Sequence, residues 1–242
     1  MSSGQGVIIA KRSISLSKTF LIVGILLALL SVLISNLSGL IGQISTTGIP
    51  INAPGKGGLD LATALPLISV AIQVFAAIIF STPVLLLYVY DKNNGVLEYF
   101  LSLGMNQEDI YRQYLKAAII LSSALIGLEV VINVVAGLIN HTNGLLLLEV
   151  SGLVVALALP VVSFGTLVMI SFSSLQKQRV GANQPLGMAI GIFMVMPAYI
   201  IPLALPSIAL LADLLLAVVV AALSLLMYLS SSRLIKREKL LP

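Results

Sequence analysis

Long apolar runs separated by short polar segments set the pattern of this chain. The first run extends from about Phe20 to Ile41 and ends at the Gly- and Pro-rich stretch that leads to Asp60. The second, about Leu61 to Tyr90, is long enough to tilt or to hold bends at Pro66 and Pro83. After a charged segment the third runs from about Tyr114 to Ile139, and NHTNG makes a tight turn into the fourth, about Leu145 to Phe172. A helix rises 1.5 Å per residue, so about 20 residues cross a hydrocarbon core of roughly 30 Å. Each run is sufficient. From Val180 to Ser232 the only formal charge is Asp213, a stretch far too long for one crossing. Pro197, Pro202 and Pro206 supply the break, which predicts two further spans at about Leu186 to Ile201 and Ser207 to Leu229.

Composition closes the alternatives. The chain is 59% hydrophobic and 9% charged, against about 25% charged residues in soluble globular proteins, so a water-facing surface cannot be built. Only helices and closed barrels span lipid, and these runs greatly exceed the roughly 10-residue segments of a barrel strand. The expected fold class is therefore an all-α integral membrane protein with six transmembrane helices, forming a single transmembrane domain over residues 1–242. There is no cysteine, hence no disulfide or thiol chemistry. A cleavable signal peptide is not expected, because the first apolar run is too long.

Charge orients the spans. Six crossings put Lys11, Arg12, Lys18, Lys92, Arg112, Lys116, Lys177, Arg179, Arg233, Lys236, Arg237 and Lys239 on one side and Lys56 alone on the other. The positive-inside rule then places both termini in the cytoplasm of a multi-pass cell-membrane protein. The net charge of +4 is thus accounted for by the lipid bilayer, without a nucleic-acid partner. The sequons Asn36-Leu-Ser38 and Asn140-His-Thr142 both fall near the predicted outer face. Residues 1–19 mix apolar and basic positions and suit an interfacial helix, while 233–242 form a basic tail.

The cytoplasmic segment between spans two and three, residues 91–113 running on to Lys116, carries the most information. Val96, Leu97, Phe100, Leu101 and Leu103 form an apolar stripe opposite Asn94, Glu98 and Ser102, which predicts a short amphipathic helix. Gly95 and Gly104 bound it, and Asn106 is placed to cap a second helix whose first turn holds Gln107, Glu108 and Asp109. This elbow is larger than a return crossing needs.

The same stretch resembles the cytoplasmic loop of ABC-2 type ABC transporter permeases: an acidic residue, a Gly, a Leu-Glu pair, an apolar run, a small turn, a polar helix start and a Lys. The matching residues are Asp91, Gly95, Leu97-Glu98, Phe100-Leu101, Gly104, Asn106 to Ile110 and Lys116. The family's turn carries Pro where Gly104-Met105 stands, and basic residues where Gln107 and Glu108 stand. The Leu-Gly-Met turn is also similar to that of lipoprotein-exporter and cell-division permeases, whose large extracellular domain has no counterpart here. The resemblance implies a half-transporter. A second permease subunit would complete the path, and a coupling helix made of Asp91, Gly95, Leu97, Glu98, Phe100, Leu101, Gly104 and Glu108 would dock on a cytoplasmic ABC ATPase. ATP and Mg would be bound by that ATPase; this chain has no G-x-x-x-x-G-K-[ST] and no cofactor of its own is expected.

Ionisable groups inside spans are candidates for function because charge among lipid is expensive. Glu129, with Asn133 one turn along, Glu149 and Asp213 all fall in the outer half and are the expected substrate path for a cationic or amphipathic substrate. The bland alternative makes Glu149 and Asp213 shallow carboxylates that reach interfacial water. Gly187 and Gly191 form a G-x-x-x-G expected at the subunit interface. His141 alone makes no metal site. An intramembrane enzyme lacks its parts: no H-E-x-x-H, no G-x-S-x-G and no carboxylate pair at helical spacing within a span. No catalytic residue is expected. An ion-coupled carrier using Glu129 or Asp213 remains as an alternative, as does an ABC-type mechanotransmitter that moves no solute.

Overall fold

The chain is described by a computed structural model over residues 5–46, 61–139, 144–172, 193, 196–198, 200–201 and 208–234. Every regular element among them is helical. In order these are α1 (Gln5–Leu16), α2 (Lys18–Thr46), α3 (Leu61–Asn93), α4 (Val96–Ser102), α5 (Gln107–Ile139), α6 (Gly144–Phe172) and α7 (Ala209–Leu234). Five of them, all but α1 and α4, are long and apolar enough to cross a membrane. The expected span Leu186–Ile201 is described only at residues 193, 196–198 and 200–201, which are helical; Gly187 and Gly191 lie outside the described residues, as do Asn140, His141 and residues 235–242.

Most helices run beyond the expected limits, while the last starts at Ala209 rather than Ser207. α3 and α5 are each 33 residues long, so these helices continue past the apolar runs into the polar segments beyond them. Pro66 and Pro83 stand inside α3 and Pro160 inside α6 without ending either helix. Serine and threonine hydroxyls bond back along these helices, as Ser69 to the Pro66 carbonyl at 2.6 Å and Thr82 to the Ile78 carbonyl at 3.0 Å.

Small residues set the spacing between helices. An added Cβ on Gly24 of α2 would lie 3.0 Å from Phe80 Cδ2 and 3.1 Å from Phe80 Cβ on α3. Farther along, Ala28, Ala76 and Leu125 meet in one buried cluster, joining α2, α3 and α5. Near the opposite end of α3, Tyr88 and Tyr114 stack edge to face with centroids 5.2 Å apart. Residue numbers therefore fall along α3 as they rise along α2 and α5: α3 is antiparallel to both. A main apolar core formed by α1, α3, α5, α6 and α7 completes the bundle.

Because Phe80 meets Gly24 partly through its own Cβ, it cannot swing aside. Gly24→Val should separate α2 from α3 and cost about 1–3 kcal/mol. The checking measurement is thermal unfolding in detergent or nanodiscs, where a lowered midpoint is expected and an unchanged one would refute the close approach.

Candidate functional site

One end of the bundle gathers α1, the turn between α3 and α5, and the last turns of α7. Asp91, in the final turn of α3, is 1% exposed. Arg12 Nη2 of α1 lies 2.9 Å from its Oδ1. Arg12 Nη1 donates to Oδ2 at 3.2 Å, and the Tyr114 hydroxyl of α5 donates to the same oxygen at 2.6 Å. A carboxylate taken out of water is costly unless its charge and oxygens are met; here two other helices meet it, Oδ2 accepting both hydrogen bonds and Oδ1 facing Arg12 in the ion pair. Gly6, Ala10 and Ser13 form the small buried side of α1 that allows this approach; an added Cβ on Gly6 would be 3.1 Å from Lys116 Cβ. Asp91 is thus engaged inside the chain and does not present its carboxylate outward. The sequence pattern missed its partners Arg12 and Tyr114. The available signal was an acid at the end of an apolar run, which demands a donor from elsewhere.

The elbow that follows is shaped by two glycines. Gly95 has φ +70° and precedes α4; Gly104 has φ +79° and follows it. At the far end the Met105 N–H reaches the Phe100 carbonyl at 3.2 Å and the Gly104 N–H reaches the Leu101 carbonyl at 3.1 Å. These are the paired bonds of a Schellman motif, with Gly in the left-handed position. α5 then starts after Asn106, whose carbonyl accepts from the Asp109 and Ile110 N–H groups.

α4 is anchored by Leu97, which is fully buried, with Phe100 and Leu101 packed alongside. Glu98 and Ser102 are exposed, as expected. Leu103 departs from the expected stripe: it is 61% exposed, because the left-handed turn at Gly104 directs the chain away from the core there. Between α4 and α1 lies a cavity of about 220 Å³ with walls from Ile8, Ile9, Phe100, Met105, Ile110 and Tyr114. Glu108 pairs with Arg112 at 3.1 Å, both half-exposed, an arrangement worth only a few tenths of a kcal/mol. Arg112 also lies over the Tyr228 ring at 5.6 Å, which brings α7 to this end.

The intramembrane candidates separate into different environments. Glu129 and Asn133 are each 1% exposed, on one side of α5, and neither side chain has a hydrogen-bond partner among the described residues. Asp213, on α7, is 0% exposed and equally unpartnered, which corrects the reading of it as a shallow carboxylate in water. Glu149 is exposed on α6. Gln73 of α3, not singled out in the sequence, is 0% exposed with neither amide atom partnered among the described residues. Nothing in a run of apolar neighbours marked it except its own polarity. Among the described residues no group of His, Cys, Asp or Glu side chains could hold a metal ion.

Two outcomes test this geometry. Arg12→Ala should lower stability by about 1–3 kcal/mol, and Arg12→Ala with Asp91→Asn should recover part of the loss; thermal unfolding of the three proteins measures it. Gly95→Ala forces a side chain into the left-handed region and should cost about 1 kcal/mol, read as faster hydrogen exchange over residues 94–104. No family model, curated protein or solved structure matches this chain.

Proposed function

We propose that this chain is the membrane-spanning permease subunit of an ABC transporter of the ABC-2 type, exporting a hydrophobic or amphipathic substrate such as a drug, lipid or peptide. In this reading it has six spans, the fifth at Leu186–Ile201, with both termini in the cytoplasm. ATP is hydrolysed by a separate cytoplasmic ATPase, and a second permease subunit completes the path.

The observation that carries the reading is α4. It is a seven-residue helix, held by one fully buried leucine and offset from α1 by a cavity, with Glu98, Tyr99, Ser102 and Leu103 turned outward. A short, separately seated helix at the basic end is suited to take up a push from a docked partner and pass it to α3 and α5. Those two helices are joined across the elbow by the Tyr114–Asp91 bond.

An ion-coupled carrier is the second reading. It is favoured by the burial of Glu129 and Asp213 without partners among the described residues, since buried ionisable groups in spans serve ion and proton pathways.

Gentle purification of the tagged protein from native membranes separates the two. A stoichiometric P-loop ATPase is expected, with Glu98→Lys reducing its recovery at least about tenfold, or roughly 1.4 kcal/mol, while the permease stays folded in the membrane. Recovery of the permease alone would favour the carrier. With the ATPase present, Glu129→Gln should change substrate-stimulated ATP hydrolysis without loss of assembly.

A further inference from the structure

The three unpartnered groups Gln73, Glu129 and Asn133 belong to helices whose relative register is known. The shared contact of Ala28, Ala76 and Leu125 marks one level of the α2–α3–α5 junction. Counting away from the elbow, three residues along α2 lead from Ala28 to Ser31, and three along α3 lead from Ala76 to Gln73. Four along α5 lead from Leu125 to Glu129. Each step is about one turn, roughly 5 Å, on the same side of its helix. The next turn brings Ser69 on α3 to the level of Asn133 on α5. The same register holds at independent points: Gly24 opposite Phe80 between α2 and α3, and Tyr88 opposite Tyr114 between α3 and α5.

All five side chains are buried. Their hydrogen-bonding state is asymmetric. Ser31 donates its hydroxyl to the Ala28 carbonyl at 2.6 Å and Ser69 to the Pro66 carbonyl at 2.6 Å. Each serine oxygen is thereby left as an acceptor. Gln73, Glu129 and Asn133 add two amide carbonyls, two amide –NH₂ groups and a carboxyl, none with a partner among the described residues. Such groups are costly to leave unpaired, so several retained at one junction point to something that completes them.

We propose that the α2–α3–α5 junction is a binding site for the primary ammonium group of an amphipathic amine, with Gln73, Glu129 and Asn133 as its first acceptors. A –NH₃⁺ group has three donors and no acceptor, which suits the carboxylate, two amide carbonyls and two serine oxygens here, while the two amide –NH₂ groups can donate to the same carboxylate. Its single charge balances the one carboxylate, so the complex is neutral within the bilayer. The apolar tail lies among the leucine, isoleucine and valine side chains of these helices. The inference rests on the transport reading for its physiological meaning, but the site itself is testable without an ATPase.

The experiment is equilibrium binding of radiolabelled octylammonium to the full chain in nanodiscs, above the uptake of empty nanodiscs, beside octyltrimethylammonium. The latter has the same charge and chain length but no N–H donor. Saturable octylammonium binding is expected, with the trimethyl compound weaker by about tenfold or more, the scale of losing charge-assisted hydrogen bonds. Glu129→Gln should weaken octylammonium by at least about tenfold and Gln73→Leu by several-fold, both with unchanged helix content and monodispersity. Equal affinity for the two compounds would overturn the hydrogen-bonding role, and absence of saturable binding would overturn the site. Displacement of octylammonium by sodium but not potassium would also overturn it, by assigning the junction to an inorganic ion. The comparison of the two compounds on the unaltered chain does not depend on any variant folding. Because no ATPase is present, failure here leaves the ABC reading standing, and a permease purified without an ATPase would leave this site standing.

Discussion

A buried carboxylate at the end of α3 organises the elbow end of this protein. Asp91 cannot sit at 1% exposure without donors, and it draws them from Arg12 on α1 and Tyr114 on α5. That demand fixes where α1 lies, because only a helix with Gly6, Ala10 and Ser13 on its inner side comes close enough. It also joins the last turn of α3 to the second turn of α5, so the intervening elbow is a closed loop on a rigid base. A displacement of α4 is therefore delivered to two long helices together.

The two glycines and Leu97 define what can move in that loop. Positive φ at Gly95 and Gly104 makes both ends of α4 sharp, and one buried leucine provides most of its attachment. The cavity beside Ile8, Ile9 and Phe100 leaves the side toward α1 loosely filled. The contrast with the α2–α3 contact is one of packing density: there Gly24 lets Phe80 come within van der Waals range of the backbone, and there is no comparable slack.

Farther along the same helices the character of the interior changes. Toward the elbow the α3–α5 contact is aromatic, with the Tyr114–Asp91 bond at its end; beyond the Ala28–Ala76–Leu125 level the α2–α3–α5 junction carries Ser31, Gln73, Glu129, Ser69 and Asn133. In a membrane protein such groups are not placed for solubility, because lipid gives polar side chains no reward. Asp213 is a separate case, since α7 packs chiefly on α6. The acids that looked like one outer vestibule therefore divide into a seam centred on Glu129, a buried Asp213 and an exposed Glu149.

What could be read from the amino-acid sequence follows from one-dimensional constraints. Apolar runs of about 20 residues identify helices that need lipid as solvent, so Phe20–Ile41, Leu61–Tyr90, Tyr114–Ile139 and Leu145–Phe172 each foretold a helix, as did Ser207–Leu229. Glycines bracketing a short apolar stripe foretold α4, since few other residues accept the left-handed turns there. The candidate acids were visible because charge is rare in such runs. Their meaning was not, because burial and partnership depend on which sides of which helices meet. Only the tertiary structure pairs Asp91 with Arg12, 79 residues away, turns Leu103 outward, exposes Glu149 and encloses Asp213. Gln73 shows the limit most clearly: one amide in an apolar run acquires significance only when the antiparallel register of α3 and α5 sets it at the level of Glu129.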